Sequence, residues 1–294
     1  MNTQEFIIAA LAEDIGSGDH STLASIDAKV AGSAKLIVKE AGIIAGIRIA
    51  KEVFLHLDKE AVFTAYHTDG EYLEVGTIAF TVKAKAQAIL QAERLVLNTM
   101  QRMSGIATLT HSYMEKIKNY STTILDTRKT TPLFRAFEKE AVLLGGAKNH
   151  RMGLYDMIML KDNHIDYCGG IEKAIAAANN YLKEQQLQLP IEVETRSLDD
   201  VKRVVKVGGV QRIMLDNFTP QEIEAALVLI NKQFETEASG DPDVYCPQSN
   251  AELIQFVKTK GATGANTSSL SASLAWIGTQ SNLIAANFEY ENSN

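Results

Sequence analysis

The chain has 294 residues, of which 46 % are hydrophobic, and a formal net charge of -7 at pH 7. This length and composition suit one large or two ordinary globular domains, and the acidic balance argues against a nucleic-acid surface, which needs a broad basic face. The two cysteines, Cys168 and Cys246, have no CxxC or CxxH spacing, so neither a disulfide framework nor a structural zinc site is expected. No run of about 18 apolar residues or basic leader occurs, which argues against membrane association and predicts a cytoplasmic location.

Short mixed elements alternate over residues 1 to about 85 and predict a small α+β domain of sandwich-like form. A capped helix opens the chain, and strand-like runs follow at 32–46 and 61–85. From Gln87 the apolar residues recur at helical spacing, which predicts one long connecting helix with a break near Ser104-Gly105.

A strand-then-helix theme repeats after Asn119. Short strands are predicted at 122–127, 156–164, 191–195, 212–217 and 234–239. Helices of about 10 to 15 residues separate the later strands, and this spacing implies parallel pairing through βαβ units. Such a series favours a barrel over a doubly wound sheet, but the pattern alone leaves closure open. The predicted domains are an N-terminal α+β domain with its connecting helix (1–109), an α/β barrel (110–275) and a C-terminal tail (276–294).

Polar residues end the predicted strands or follow them, and their charges fall into two groups. In a parallel barrel the loops after the strands gather at one face, where the site lies. The basic group, with its polar neighbours, contains Thr127, Arg128, Lys129, His150, Arg151, Lys161, Asn163 and His164. The acidic group, with its polar neighbours, contains Glu192, Glu194, Asp216, Asn217, Glu237 and Ser239. Neighbouring carboxylates are costly unless a cation bridges them, and hard divalent ions with oxygen ligands do so, which makes Mg²⁺ the natural candidate.

The two groups together suit an anionic substrate beside a magnesium-bound phosphate or pyrophosphate. The arginine fork matches the two oxygens of a carboxylate, and lysine supplies a point charge for phosphate oxygens. Each charge-assisted contact contributes about 1.5 to 3 kcal/mol, so several can hold a multiply charged ligand. Taken singly, each residue has an alternative interpretation as part of a solvated loop or strand edge.

A series of motifs resembles the quinolinate phosphoribosyltransferase family. The motifs are LAEDIGSGD (11–19), ERLVLNTMQRMSGIAT (93–108), LDTRKTTPLFR (125–135), GGAKNHRMGLYDMIMLKDNH (145–164), IEVET (191–195), LDNF (215–218) and EASG (237–240). The resemblance implies an incomplete parallel α/β barrel after the N-terminal domain, and a homodimer or higher oligomer in which each site is completed by the neighbouring subunit. It also implies a pentosyltransferase that moves the phosphoribosyl group of phosphoribosyl pyrophosphate to quinolinate with loss of CO₂, giving nicotinate mononucleotide for NAD biosynthesis.

The resemblance further implies roles for individual residues. Arg102 would reach the site from the partner subunit. The residues that would bind quinolinate and part of the phosphoribosyl group are Thr127, Arg128, Lys129, His150, Arg151 and Lys161. Glu194 and Asp216 would serve the ribose and, through the pyrophosphate, Mg²⁺, while Ser239 and Gly240 would bind the 5′-phosphate. The predicted catalytic residues are Lys129, Lys161, Glu194 and Asp216.

The similarity ends after Gly240. Family members usually continue with Ser-Gly-Gly and later carry a glycine-containing loop whose backbone amides hold the 5′-phosphate, whereas here Asp241 follows and GATGANTSSLSAS (261–273) takes the later position. An adapted phosphate loop, a weakened or inactive enzyme and a disturbed reading frame are all open, and we expect weaker binding of phosphoribosyl pyrophosphate. A catalytically silent dimeric scaffold and a relative that uses nicotinate directly are the competing functions.

Overall fold

The computed structural model describes residues 1–240, 265–267 and 286–291 of the chain. Their internal contacts divide them into two compact units: the first contains Met1–Ser112, Thr131–Gly146 and strand Ala286–Glu291, and the second contains Tyr113–Thr130 and the described residues from Ala147 to 267. The predicted fold class, a strand-rich N-terminal part followed by a parallel α/β part, is confirmed. The predicted boundaries at residues 109/110 and 275/276 stay predictions.

The secondary structure of the described residues follows the chain order. The helices are α1 (Thr3–Ile15), α2 (His20–Ser25), α3 (Ile47–Leu57), α4 (Ala86–Ile117), α5 (Arg135–Leu144), α6 (Asp162–Cys168), α7 (Ile171–Glu184), α8 (Leu198–Val207) and α9 (Pro220–Ile230). The strands are β1 (Ala31–Val38), β2 (Gly42–Ile43), β3 (Val62–Ala65), β4 (Tyr72–Leu73), β5 (Ile78–Lys85), β6 (Thr123–Ile124), β7 (Ile158–Leu160), β8 (Ile191–Thr195), β9 (Arg212–Asp216), β10 (Glu235–Ser239), β11 (Ala265–Thr267) and β12 (Ala286–Glu291). None of these helices combines the length and apolarity that crossing a bilayer requires.

An antiparallel sheet of order β12-β1-β5-β3 forms the strand-rich part of the first unit. Helix α4 follows β5 directly and runs without interruption, so the predicted break near Ser104-Gly105 is wrong. The Ser104 side chain is buried, and its hydroxyl accepts a hydrogen bond from the Ala45 N–H at 2.9 Å. The small residues therefore mark close packing of the helix against the segment before α3.

A six-stranded sheet of order β6-β11-β10-β9-β8-β7 forms the second unit, and its pairs are parallel. The five predicted strands are present, with shorter bounds at β6 and β7, and β11 lies between β10 and β6. Among the described residues β6 and β7 do not pair with each other, so the sheet is open at these edges. The predicted barrel form stays a prediction.

The two faces of this sheet differ in chemistry. One face packs against α7, α8 and α9 through buried apolar side chains such as Val193, Ile213 and Leu215, each of which contributes about 1.5 to 3 kcal/mol on burial. Because side chains alternate along a strand, the charged residues project from the opposite face. They are Glu192, Glu194, Arg212, Asp216, Glu235 and Glu237.

Candidate active site

A cavity of about 750 Å³ lies at the carboxyl ends of the parallel strands in the second unit. The predicted site residues that line it are Thr127, Arg128, Lys129, His150, Arg151, Lys161, Glu194, Asp216, Ser239 and Gly240. Residues outside the predicted binding and catalytic sets also line it, namely Asp126, Met159, Asp162, Met214, Asn217 and Glu237. The structure thus brings together every predicted site residue except Arg102, which belongs to the first unit. Their individual roles stay predictions.

The loop after β6 supplies two cations of the cavity, Arg128 and Lys129, and the segment after α5 supplies Arg151. The Lys129 N–H donates to the Thr127 hydroxyl at 3.0 Å, which closes a tight turn around Arg128. Arg151 is only 9 % exposed, and its Nη1 donates to the carbonyl of Met157 at 3.3 Å. Burial and the positive charge of Arg128 lower the pKa of the Arg151 guanidinium. Two cations that repel each other beside a cavity favour an anion between them.

Carboxylates occupy the strand ends of β8 and β9. Lys161 Nζ lies 2.9 Å from Glu194 Oε2, and Asn217 donates to Asp216 at 2.8 Å. Burial raises the pKa of Asp216, and the negative charge of Glu194 raises it further. The neighbouring carboxylates are therefore only partly compensated by Lys161, and they supply the oxygen donors that Mg²⁺ prefers.

The backbone of His150 is held by Asp126, a residue that the sequence left without a role. The Asp126 side chain is 3 % exposed and accepts a hydrogen bond from the His150 N–H at 2.8 Å. The segment around Lys148 also pairs with the chain beyond β6, through the Leu125 to Lys148 bridge. Asp126 therefore fixes where the histidine enters the cavity.

A buried ion network lies beneath His150. Its Nε2 is 2.7 Å from Glu192 Oε2 and 3.5 Å from Glu237 Oε2, and both carboxylates are 0 % exposed. Arg212 Nη1 approaches Glu237 at 3.2 Å and Glu192 at 3.8 Å. The histidine and the two carboxylates could hold a metal ion, since one ligand atom from each lies within 4.8 Å of the others. Arg212 supplies one positive charge to these two carboxylates.

Two contacts of the His150 ring have opposite effects on its protonation. The hydrogen bonds and negative charges of Glu192 and Glu237 outweigh the cost of burial and raise the pKa of His150 to about 9. The Arg151 N–H, however, donates to Nδ1 at 2.7 Å, a contact that only the neutral ring accepts.

Burial also raises the pKa of Glu192, so a proton is retained in the network and can lie on either group.

Arg102 lines a separate cavity of about 640 Å³ in the first unit. Its Nε and Nη2 donate to Glu138 Oε1 at 2.9 and 2.6 Å. Glu138 is 2 % exposed and also accepts from the N–H and the hydroxyl of Thr131, at 3.1 and 2.8 Å. A buried carboxylate with these donors holds the guanidinium in one orientation.

Arg212 is the charged residue of the network that sequence reasoning missed. It begins β9, and residues at the amino ends of barrel strands are ordinarily assigned to stability. The spacing along the strand could have identified Arg212. Arg212, Met214 and Asp216 are two residues apart in β9, and residues at this spacing lie on the same face of a sheet. The phosphate-loop expectations at Asp241, 261–264 and 268–273 lie outside the described residues, whereas 265–267 form β11.

Known proteins resemble the chain over most of its length. Models of the quinolinate phosphoribosyl transferase N-terminal and C-terminal domains match residues 19–104 and 106–244. The nicotinate-nucleotide pyrophosphorylase (carboxylating), chloroplastic, of Arabidopsis thaliana is 44 % identical over 247 residues, covering 79 % of this chain and 70 % of the relative. A probable nicotinate-nucleotide pyrophosphorylase (carboxylating) of Synechocystis sp. is 41 % identical over 234 residues, covering 79 % and 78 %. The crystal structure of NadC from Streptococcus pyogenes has a TM-score of 0.85 at 34 % identity, over 99 % of this chain and 97 % of that chain.

Proposed function

This chain belongs to the quinolinate phosphoribosyltransferase family, and from that premise we propose that it transfers the phosphoribosyl group of phosphoribosyl pyrophosphate to quinolinate. The products are nicotinate mononucleotide, pyrophosphate and CO₂, as in NAD biosynthesis. One observation carries the proposal: a single cavity places Arg128, Lys129 and Arg151 together with the carboxylates Glu194 and Asp216. The cations suit a dicarboxylate, and the carboxylates suit the sugar and a metal-bound pyrophosphate.

Quinolinate carries two carboxylates on adjacent carbons of a pyridine ring, so its site needs several positive charges. Arg128 and Arg151 supply guanidinium groups whose mutual repulsion a bound dianion would relieve. Lys129 and Lys161 supply point charges beside them. This clustering favours quinolinate over nicotinate, which has one carboxylate.

The carboxylates Glu194 and Asp216 fit Mg²⁺ bound through the pyrophosphate. The raised pKa of Asp216 reflects burial beside the charge of Glu194, and a divalent cation near this pair would relieve that repulsion. When bound, Mg²⁺ offsets negative charge on the leaving pyrophosphate.

The chemistry follows from where charge develops. Attack of the pyridine nitrogen on the anomeric carbon passes through an oxocarbenium-like state, with positive charge growing on the ribose. Glu194 and Asp216 stabilise this charge only as it develops, which lowers the barrier instead of tightening ground-state binding. No side-chain nucleophile is required. The carboxyl group next to the nitrogen then leaves as CO₂, its bonding electrons remaining on a carbon beside the cationic ring nitrogen, where a proton replaces it.

One assay tests this function against its competitors. The protein is incubated with Mg²⁺, phosphoribosyl pyrophosphate and either quinolinate or nicotinate, and mononucleotide and CO₂ are measured. We expect equimolar mononucleotide and CO₂ from quinolinate alone. Product from neither acid would favour the silent or weakened homologue with an altered phosphate loop, and product from nicotinate alone would favour a nicotinate-specific relative.

Sites shared between two subunits are part of the proposal, with Arg102 contributed by the partner. We expect Arg102→Gln and Glu194→Gln to be nearly inactive singly. Refolding the two variants together should restore about a quarter of wild-type activity, because half of the dimers are mixed and each has one intact site. The glutamine at position 102 keeps a donor toward Glu138, which limits unfolding. Activity that stays at the level of the single variants after mixing would contradict shared sites.

A cytoplasmic location belongs to the same proposal. The Arabidopsis relative is named chloroplastic, and a Nicotiana glauca relative is named mitochondrial. Fractionation of cells that express the tagged protein tests the location directly.

A further inference from the structure

We propose that Glu138 is a positioning residue that holds the Arg102 guanidinium in the orientation in which it completes the cavity of the partner subunit. The inference rests on the proposed function, in which the partner contributes this arginine to each site. The contact between the two side chains lies within one subunit and can be tested without any substrate.

A set of hydrogen bonds joins Arg102, Glu138 and Thr131. Arg102 Nε and Nη2 donate to Glu138 Oε1 at 2.9 and 2.6 Å, and Nη2 also donates to the Thr131 hydroxyl at 3.3 Å. The Thr131 hydroxyl donates to Glu138 Oε1 at 2.8 Å, and the Thr131 N–H donates to Oε2 at 3.1 Å. Two donors from one edge of a planar guanidinium determine its orientation as well as its position.

The surroundings of the contact favour a fixed carboxylate. Glu138 is buried, and only 16 % of the Arg102 side chain is exposed, so water competes little for these hydrogen bonds. Glu138 also lies in the first turn of α5, where the helix dipole favours a negative charge. The carboxylate is therefore stabilised both by its donors and by the helix that carries it.

Aromatic packing holds the start of α5 and with it the position of Glu138. The ring centroids of Phe134 and Phe137 are 4.9 Å apart, and both rings pack against Phe6 of α1, at 5.4 and 4.6 Å. Rings at these separations pack favourably in tilted arrangements. Phe137 is buried and directly precedes Glu138 in the helix. The acceptor for Arg102 is thus carried by a packed element and not by an exposed loop.

This contact determines what Arg102 can offer to a ligand. Because Glu138 compensates its charge, Arg102 offers N–H donors in a defined place more than it offers net positive charge. A misplacement of about 1 Å can cost about 100-fold in rate. Glu138→Asp produces a misplacement of this kind, because it shortens the side chain by one methylene and keeps the negative charge.

We expect Glu138→Asp to lower kcat/KM for quinolinate about 10- to 100-fold. Glu140→Asp is the matched control, because Glu140 lies in the same helix and binds Arg48 at 3.0 Å in a more exposed place, and kcat/KM should not change. Circular dichroism checks that the variants are folded. Thr131→Val, which removes only the hydroxyl that supports Glu138, takes the place of Glu138→Asp in every measurement if that variant does not fold.

Mixed dimers distinguish an effect through Arg102 from an effect on the cavity of the same chain. Refolding Glu138→Asp together with Glu194→Gln should restore about a quarter of wild-type activity, because half of the dimers are mixed and each has one intact site. Refolding Glu138→Asp together with Arg102→Gln should give no more activity than the single variants. In those mixed dimers one cavity lacks the arginine, and the other receives a misplaced one.

The alternative predicts the opposite pattern. Thr131 follows Lys129 by two residues, so Glu138 would then support the loop that lines the cavity of its own chain. Its variant would in that case be rescued by Arg102→Gln and not by Glu194→Gln. Recovery with Arg102→Gln alone, with both partners or with neither would overturn the inference.

Hydrogen exchange of the Arg102 side chain tests the contact without substrate. In the full chain with isotope-labelled arginine, the Nε–H resonance of Arg102 is assigned by its loss in Arg102→Gln. It should exchange slowly with water in the wild type and in Glu140→Asp, and faster in Glu138→Asp, because a buried hydrogen-bonded N–H exchanges only when its contact opens. Rapid exchange in the wild type would overturn the inference. If the wild type forms no product from quinolinate, the proposed function fails while the exchange rates still decide the contact.

Discussion

Replacing Glu194 with glutamine should lower kcat about 100- to 1000-fold, the loss expected when a charge that stabilises a transition state is removed. The Glu194 carboxylate is 7 % exposed, faces the cavity and lies beside Asp216. Glutamine keeps its shape but cannot offset positive charge growing on the ribose. Because quinolinate is held by the cations, its dissociation constant should stay unchanged or decrease as Lys161 is released from its 2.9 Å ion pair.

Steady-state kinetics and calorimetry with quinolinate separate the two effects. Glu172→Gln is the matched control, since Glu172 lies in α7 and pairs with the exposed Arg203 at 2.6 Å, and it should leave kcat unchanged. Thermal unfolding of both variants tests whether the fold survives. A Glu194→Gln enzyme that keeps more than about a tenth of kcat would contradict a role in the transition state.

The positions of the cavity residues were predictable because strand ends converge. Thr127, Lys161 and Asp216 follow short apolar runs that the sequence indicates as strands, and parallel strands bring their carboxyl ends to one edge. No side-chain detail was needed for that step. The sequence therefore predicted which residues line the cavity, but not which of them contact one another.

Pairing between charged side chains was not predictable, because it depends on which strands are neighbours and on their register. The sequence grouped Glu192 with Glu194 as possible magnesium partners. The structure instead pairs Glu192 with His150 at 2.7 Å and Glu194 with Lys161 at 2.9 Å. Two residues of spacing along β8 move a side chain about 7 Å deeper in the sheet, which is enough to change its partners.

The break predicted in α4 failed for a similar reason. A serine followed by glycine lowers local helix propensity, but the cost is about 1 kcal/mol and tertiary packing outweighs it. Ser104 is fully buried and its hydroxyl bonds to Ala45, 59 residues earlier in the chain. That contact is not visible in a local pattern, so propensity gave the wrong answer.

Replacing Arg151 with methionine should lower kcat/KM for quinolinate about 10- to 150-fold without destabilising the substrate-free protein. The first effect is the loss of about 1.5 to 3 kcal/mol from one charge-assisted contact to a carboxylate. The second follows because the folded environment disfavours the charge: burial and Arg128 lower the pKa of Arg151, so methionine removes a repelled cation and retains a similar volume. The 3.3 Å hydrogen bond to Met157 and the smaller attraction of Glu192 and Asp156 for the charge are lost.

The opposite effects on activity and stability make this prediction specific for a ligand-binding arginine. Arg203→Met is the matched control, because it removes an exposed arginine in an ion pair with Glu172, and kcat/KM should not change. Differential scanning fluorimetry should give Arg151→Met a Tm equal to or above that of the wild type, and quinolinate should raise the wild-type Tm more than that of the variant. A Tm that falls by several degrees, with kcat/KM unchanged, would assign Arg151 to the fold. A retained Tm with a lowered kcat/KM would instead mean that the protein keeps this unfavourably placed cation for the anion that it binds.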